Sequence, residues 1–329
     1  MMSINEVARE AGVSIATVSR VINNSGAVRD STRVRVEAAI TALGYSANRL
    51  ARNLRTASSR LILVLVPDYS NAFYAGIVRG IDGEVRRRGY HILLCDTGAD
   101  PDAQRTYLEL LNNRMADGAI CLDPDSVQAL LDEQARGLPW VACCEFDPDS
   151  SVSWVGIDNA RAAADAVRFL IGRGRQRIAM IGGDARFMYA HERRRGYLMA
   201  LAEAGLTPPR GSPIDAFEPD FDDGYRLATR LLSMSPRCDA IFAVADPLAV
   251  GALQAVHDAG LRVPEDIAIV GFDNVPFAAM VRPGLTTVAQ PMQRLGENAA
   301  RLLLEQLSDP GLPPSGTLLE HELIVRGSA

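Results

Sequence analysis

From Leu61 onward, short apolar runs alternate with amphipathic stretches of helical length, and few folds accept that order. "LILVLVP" (61–67) reads as a strand buried on both faces, followed by a helix from about 72 to 88. "HILLC" leads to a helix near 102–114, "GAICL" to one near 126–135, and "WVACC" closes the set. The pattern restarts after "VGIDN" with a helix at about 160–172, "RIAMIGG", a helix near 191–204 and a strand at about 213–217. A helix near 222–233, "AIFAV", a helix near 247–259 and "IAIVGFDN" complete it. This alternation predicts two doubly wound parallel α/β units. "LTTVAQP" and the helix after it are expected to cross back to the first unit, with "GTLLEHELIVR" supplying the closing strands.

The first sixty residues read differently. Ser3-Ile4-Asn5-Glu6 matches a capping box, and the helix it opens runs to about Ala11, burying Ile4, Val7 and Ala8. Gly12 permits a tight turn and Ser14 caps a second helix from Ile15 to about Asn23. Val18, Val21 and Ile22 share its inner face; Ala16, Ser19, Arg20 and Asn23 share the outer one. A third helix starts near Asp30, is expected to bury Val34, Ile40 and Leu43, and ends at Gly44. Two short helices across a glycine turn, with a third as support, is the helix-turn-helix layout. A helix that enters a major groove ~12 Å wide needs small residues on its outer face. Ser14, Thr17 and Ser19 can donate to phosphates, Arg20 can reach guanine O6 and N7, and Ala16 can meet a thymine methyl.

Charge supports that division. Residues 1–60 hold nine Arg against Glu6, Glu10, Asp30 and Glu37, while the chain as a whole has a net charge of −6 and no Lys. A basic head on an acidic body suits an anionic polymer at one end only. After the head comes "NRLARNLRT" (48–56), where Leu50 and Leu54 are four apart with Arg49, Arg52 and Arg55 beside them. Nine residues do not hold a helix alone in water. The segment reads either as a flexible linker or as a helix whose Leu54 wedges between base steps when two copies meet on DNA.

In the body, open α/β sheets bind ligands at the carboxyl ends of their strands, and two facing units make a cleft that can close. Phe73, Tyr74, Glu145, Phe146, Arg193, Asp246 and Asp273 fall at those ends. Aromatics stack on a ring, and an Arg with carboxylates fixes hydroxyls or ring nitrogens. Each also has a plainer role: Asp158, Asp246 and Asp273 as helix caps, Phe73 in the core, Arg193 on the solvated face of the run Arg193-Arg194-Arg195.

No GxSxG, P-loop or GxGxxG sequence is present, and "GGDAR" is too short for a dinucleotide fingerprint, so the expectation is no enzyme, no catalytic residue and no cofactor. Five cysteines without CxxC spacing and four scattered histidines argue for buried thiols and against a metal site. No apolar run approaches the ~18 residues of a membrane span, and the N-terminus lacks a secretory pattern, so a cytoplasmic location without membrane contact is expected.

Taken in order, "INEVAREAGVSIATVSRVIN", "TRVRVEAAITALGYSANRLARNLR", "VPEDIAIVGFDN" and "LTTVAQPM" make the chain resemble the lactose-repressor (LacI/GalR) family of bacterial transcription regulators. The resemblance spans nearly the whole chain. It implies a repressor that binds a palindromic operator as a homodimer, with a body similar to periplasmic sugar-binding proteins that senses a small-molecule effector. It also implies that 48–56 is a hinge helix with Leu54 as the minor-groove wedge, Arg49, Ala51 and Arg55 lying in the same DNA-facing segment. The base readers carry over as Ile15, Ala16 and Arg20, and the effector residues as Phe73, Tyr74, Arg193, Asp246 and Asp273. "VACCEFDPD" and "YAHERRRGY" are most similar to the cytidine-repressor branch, which makes a nucleoside a candidate effector beside the sugars sensed by most members. The chain stops four residues after Val325 without a heptad tail, so a dimer rather than a tetramer is expected. The division expected is a head over 1–47, a hinge and linker over 48–60, and a body over 61–329. One half of the body takes about 61–158 and 291–320, the other about 159–290 and 321–329.

Overall fold

The computed structural model describes residues 3–22, 25–45, 58–98, 100–122, 138–149 and 151–329. The helix expected near 126–135, Asn23 and the whole 48–56 segment, with Arg49, Ala51, Leu54 and Arg55, lie outside those residues. The described chain divides between Ser59 and Arg60 into a head and a body.

Among the described residues the head has three helices, α1 (Ile4–Glu10), α2 (Ile15–Ile22) and α3 (Asp30–Leu43). The capping box forms: the Ser3 N–H donates to the Glu6 carboxylate at 2.6 Å and the Glu6 N–H to Ser3 Oγ at 3.4 Å. Val7, Ala8, Val18, Val21, Val36 and Ala39 close the core, with Ile4, Ile22, Ile40 and Leu43 packed around it. Val34, expected inside, is instead 63% exposed. The inward face of α3 is Val36, Ala39, Ile40 and Leu43 at helical spacings of three and four, and a residue two positions earlier than Val36 points the other way. Gly44, at φ +57°, ends the helix in a left-handed cap, its N–H donating to the Ile40 and Thr41 carbonyls.

The body contains two six-stranded sheets. The first holds β1 (Leu61–Val66), β2 (His91–Asp96), β3 (Gly118–Cys121), β4 (Trp140–Cys143), β5 (Ser153–Ile157) and β11 (Gly316–Leu319), in the order β11-β5-β4-β3-β1-β2. The second holds β6 (Ile178–Gly182), β7 (Ile214–Asp215), β8 (Ala240–Ala243), β9 (Ala268–Asp273), β10 (Thr286–Ala289) and β12 (Glu322–Ile324), in the order β12-β10-β9-β8-β6-β7. Every pairing is parallel except β10 with β12. In β1, Ile62, Val64 and Val66 join one buried cluster and Leu63 and Leu65 another, as a strand covered on both faces requires.

The connecting helices are α4 (Ala72–Arg87), α5 (Pro101–Asn112), α6 (Asn159–Gly172), α7 (Met188–Glu203), α8 (Phe221–Leu232), α9 (Asp246–Asp258) and α10 (Met292–Ser308). Helix α7 begins earlier than the sequence suggested, directly after Phe187. The chain leaves the first sheet after β5, returns to it in α10, which packs on α4, and leaves again between β11 and β12. The two sheets are thereby joined by three short connections, the arrangement a hinged cleft needs. Glycines set the closest helix contacts. A Cβ on Gly80 of α4 would fall on the Gln293 carbonyl oxygen of α10, and one on Gly296 would fall on the Ile77 carbonyl oxygen of α4.

Candidate functional site

The head offers one site. The Thr17 N–H donates to Ser14 Oγ at 3.2 Å, and the two hydroxyls lie 3.0 Å apart, so this cap opens α2 right after the Gly12 turn at φ +62°. Ser14, Ile15, Ala16 and Arg20 are exposed, and Thr17 and Ser19 are half-buried. Arg20 pairs with no carboxylate among the described residues, and its stem runs past Gly26. An outer face of hydroxyls, small residues and one extended guanidinium can donate to phosphates and to a guanine edge.

The body offers a second, a cleft between the two sheets. Its wall brings together Phe73, Tyr74, Glu145, Arg193 and Asp273 from the expected set. Asn71, at the head of α4, accepts the Phe73 N–H at 3.0 Å and so aims Phe73 and Tyr74 into the cleft.

Arg193 is 5% exposed. Its Nε donates to Asn159 Oδ1 at 2.8 Å, its Nη1 donates to the Val244 carbonyl, and Nη1 lies 3.6 Å from Asp273. The guanidinium sits 3.5 Å from the centre of the Phe272 ring and 4.8 Å from that of Tyr189. Asp273 also accepts from Gln290 Nε2 at 2.7 Å. Glu145, at the end of the β4 loop, accepts the Tyr189 N–H at 3.2 Å, so a carboxylate carried by the first sheet reaches a helix carried by the second. Asp273 and Asn274 have φ of +108° and +58°, and Cys144, also in the wall, +76°. Non-glycine residues held there are a recurrent property of ligand sites.

Two of the expected residues stand elsewhere. Phe146 stacks on Trp154, with centroids 4.1 Å apart and planes at 3°, and Gly156 leaves room for its ring. Asp246 is fully buried behind the wall, where it accepts from the Thr287 hydroxyl at 2.6 Å and the Val275 N–H at 2.9 Å. It ties the turn after β9, which carries Asp273, to β10. Asp158 caps α6, accepting the Arg161 N–H at 2.9 Å. Asn71, Asn159, Tyr189 and Gln290 join the wall beyond the expected set, the last three from within "VGIDN", "YAHERRRGY" and "LTTVAQPM". Their one shared sequence signal is position, at or next to the start of a helix or the end of a strand.

Burial, and then the charge of Asp273, push the Asp246 carboxyl up to about 8. Burial pushes Asp273 up to about 6, against the pull of Arg193. Both groups bind protons more tightly when folded than at their ordinary 3.8, so the folded body holds more protons than the unfolded chain between about pH 4 and pH 8. Stability should therefore fall as pH rises through that window. Urea midpoints across the window would measure the slope, and Asp246→Asn should flatten it; a wild-type profile that is already flat would contradict the assignment.

Comparison with known proteins is consistent at both ends of the chain. Residues 3–48 match the profile described as "Bacterial regulatory proteins, lacI family", and residues 167–329 that described as "Periplasmic binding protein-like domain". Among curated proteins, the HTH-type transcriptional repressor CytR of Escherichia coli K12 is 36% identical over 328 residues, covering 99% of this chain and 96% of that one. The ribose operon repressor of the same strain is 36% identical over 334 residues, covering both chains fully. Among solved structures, the lac repressor dimer bound to operator and the anti-inducer ONPF has a TM-score of 0.88 at 26% identity, covering 99% of this chain and 98% of that one. The complex of transcriptional regulator CelR with cellobiose has a TM-score of 0.75 at 33% identity, covering 100% of both.

Proposed function

The chain belongs to the LacI family of bacterial regulatory proteins, a regulator and not an enzyme, and on that premise we propose that it represses transcription as a homodimer on a palindromic operator, under control of a sugar or nucleoside held in the cleft. The observation that carries this reading is the outer face of α2, with Ser14, Ile15, Ala16 and Arg20 exposed and Arg20 free of any carboxylate among the described residues. Arg20 reads a guanine, Ile15 and Ala16 touch methyl groups, and Ser14, Thr17, Ser19 and Asn23 hold phosphates. From the joining segment, Arg49, Ala51 and Arg55 lie along the backbone while Leu54 wedges the minor groove. DNA as partner puts its work in the cytoplasm, on the nucleoid.

Dimerisation is supported by β2, an edge strand on which Leu93 and Leu94 are 41% and 43% exposed. An open apolar edge calls for a partner. The effector role is supported by the buried Glu145, Arg193 and Asp273 around the cleft. A ligand there bridges the two halves of the body, and closing them resets how paired heads and joining segments engage DNA.

Selection from random duplexes at ~0.15 M salt, with and without a pool of sugars and nucleosides, tests the reading. A palindrome with a flexible central step should be enriched. Arg20→Ala should weaken its binding by about 1–3 kcal/mol and relax one position in each half-site. Leu54→Ala should weaken binding without changing which bases are preferred. Enrichment of no sequence under either condition would refute the proposal.

A further inference from the structure

Cys143 ends β4 and Cys144 follows it into the cleft wall. In an extended strand, neighbouring side chains point to opposite faces of the sheet. Here Cys144 leaves the strand at φ +76°, a left-handed backbone that a non-glycine residue seldom adopts. Both thiols therefore join the same buried cluster, with their sulfurs 3.8 Å apart. The turn is held by the Cys144 N–H, which donates to the Val155 carbonyl at 2.8 Å. Cys143 is fully buried, and Cys144, 8% exposed, lines the cleft. The function proposed above makes no use of this pair.

We infer that Cys143 and Cys144 form a dithiol site in the cleft wall for an uncharged, thiophilic metalloid hydroxide of the arsenite class. A direct disulfide suits the pair poorly, because neighbouring Cα atoms are ~3.8 Å apart across a trans peptide and disulfides favour about 4.4–6.8 Å. Zinc takes four ligands, and among the described residues no cluster of three or more His, Cys, Asp or Glu is placed to hold a metal ion. One trivalent atom set between the two sulfurs needs only those two. Thiol sulfur is a soft donor that suits a soft acceptor, and burial favours a reactant that brings no charge. The step is a condensation of As(OH)3 with two thiols. Two As–O and two S–H bonds break, two As–S bonds form, and each thiol proton leaves on a hydroxide as water. Arsenic stays trivalent, so no oxidant or reductant takes part, and the chelate keeps one hydroxyl and no net charge. The site is independent of which sugar or nucleoside the cleft holds.

The test uses the full chain, reduced, with one equivalent of phenylarsine oxide, which presents the same trivalent arsenic with one position blocked. Intact mass should show one phenylarsenic group per chain, and an added small dithiol should remove it. Unfolding the adduct in iodoacetamide should alkylate Cys95, Cys121 and Cys238 and spare Cys143 and Cys144, a readout that needs no variant. Cys143→Ala and Cys144→Ala should each abolish the adduct, with thermal unfolding as the check that both variants fold; Cys238→Ala should retain it. Absence of an adduct on the folded wild type overturns the inference. So does protection of other cysteines in place of these two, or an adduct that survives the loss of either neighbour.

Discussion

Arg193→Ala is expected to destabilise the body by about 3–5 kcal/mol and to abolish ligand binding in the cleft. The size follows from what is left behind. Asp273 would stay buried without its countercharge, the Val244 carbonyl and Asn159 Oδ1 would lose their donor, and the Phe272 and Tyr189 rings would face a void. Breaking one side of a buried pair costs far more than an exposed pair contributes. Urea unfolding of the variant gives the first number and calorimetry with any bound ligand the second. Arg193→Lys should recover little, because an ammonium cannot serve Asn159 and Val244 together or stack flat on Phe272. A loss below about 1 kcal/mol would mean that the guanidinium is dispensable and that the site is held some other way.

The second large effect concerns a residue with no side chain. Helix propensity alone makes Gly296→Ala stabilising by up to ~1 kcal/mol. The contact between α4 and α10 reverses the sign, because the added methyl would land on the Ile77 carbonyl and force the helices apart, at about 2–3 kcal/mol. Gly83, in the middle of α4 with nothing near the place its Cβ would occupy, is the control: Gly83→Ala should follow propensity and stabilise. Thermal unfolding of both variants separates the two effects. Stabilisation by both would mean that α4 and α10 do not approach this closely.

The same contrast explains what could be read in advance. Caps, turns and strand alternation are local, and they were legible: Ser3 with Glu6, Ser14 at the start of α2, Gly44 at the end of α3, and the run of strands from Leu61. Val34 points outward instead, because an apolar residue near the start of a helix suits either face until the neighbouring helices are in place. Phe146 and Asp246 stood at strand ends where cleft residues belong, yet one side chain turns onto Trp154 and the other onto Thr287. Position along a strand fixes where a backbone ends, and side-chain direction there depends on what the neighbouring segment leaves open.

By itself, then, the sequence determined the order and type of the elements, the head with its outward-facing Arg20, and the family, since each depends on periodicity and spacing within a few turns of chain. Only the tertiary structure decided which side chains share the cleft. Asn71, Glu145, Asn159, Arg193, Asp273 and Gln290 come from six separate stretches, and Glu145 meets Tyr189 across 44 positions. What joins them is the crossing of the chain between two sheets, and the grouping of two carboxylates with one guanidinium in the cleft exists only after that crossing is made.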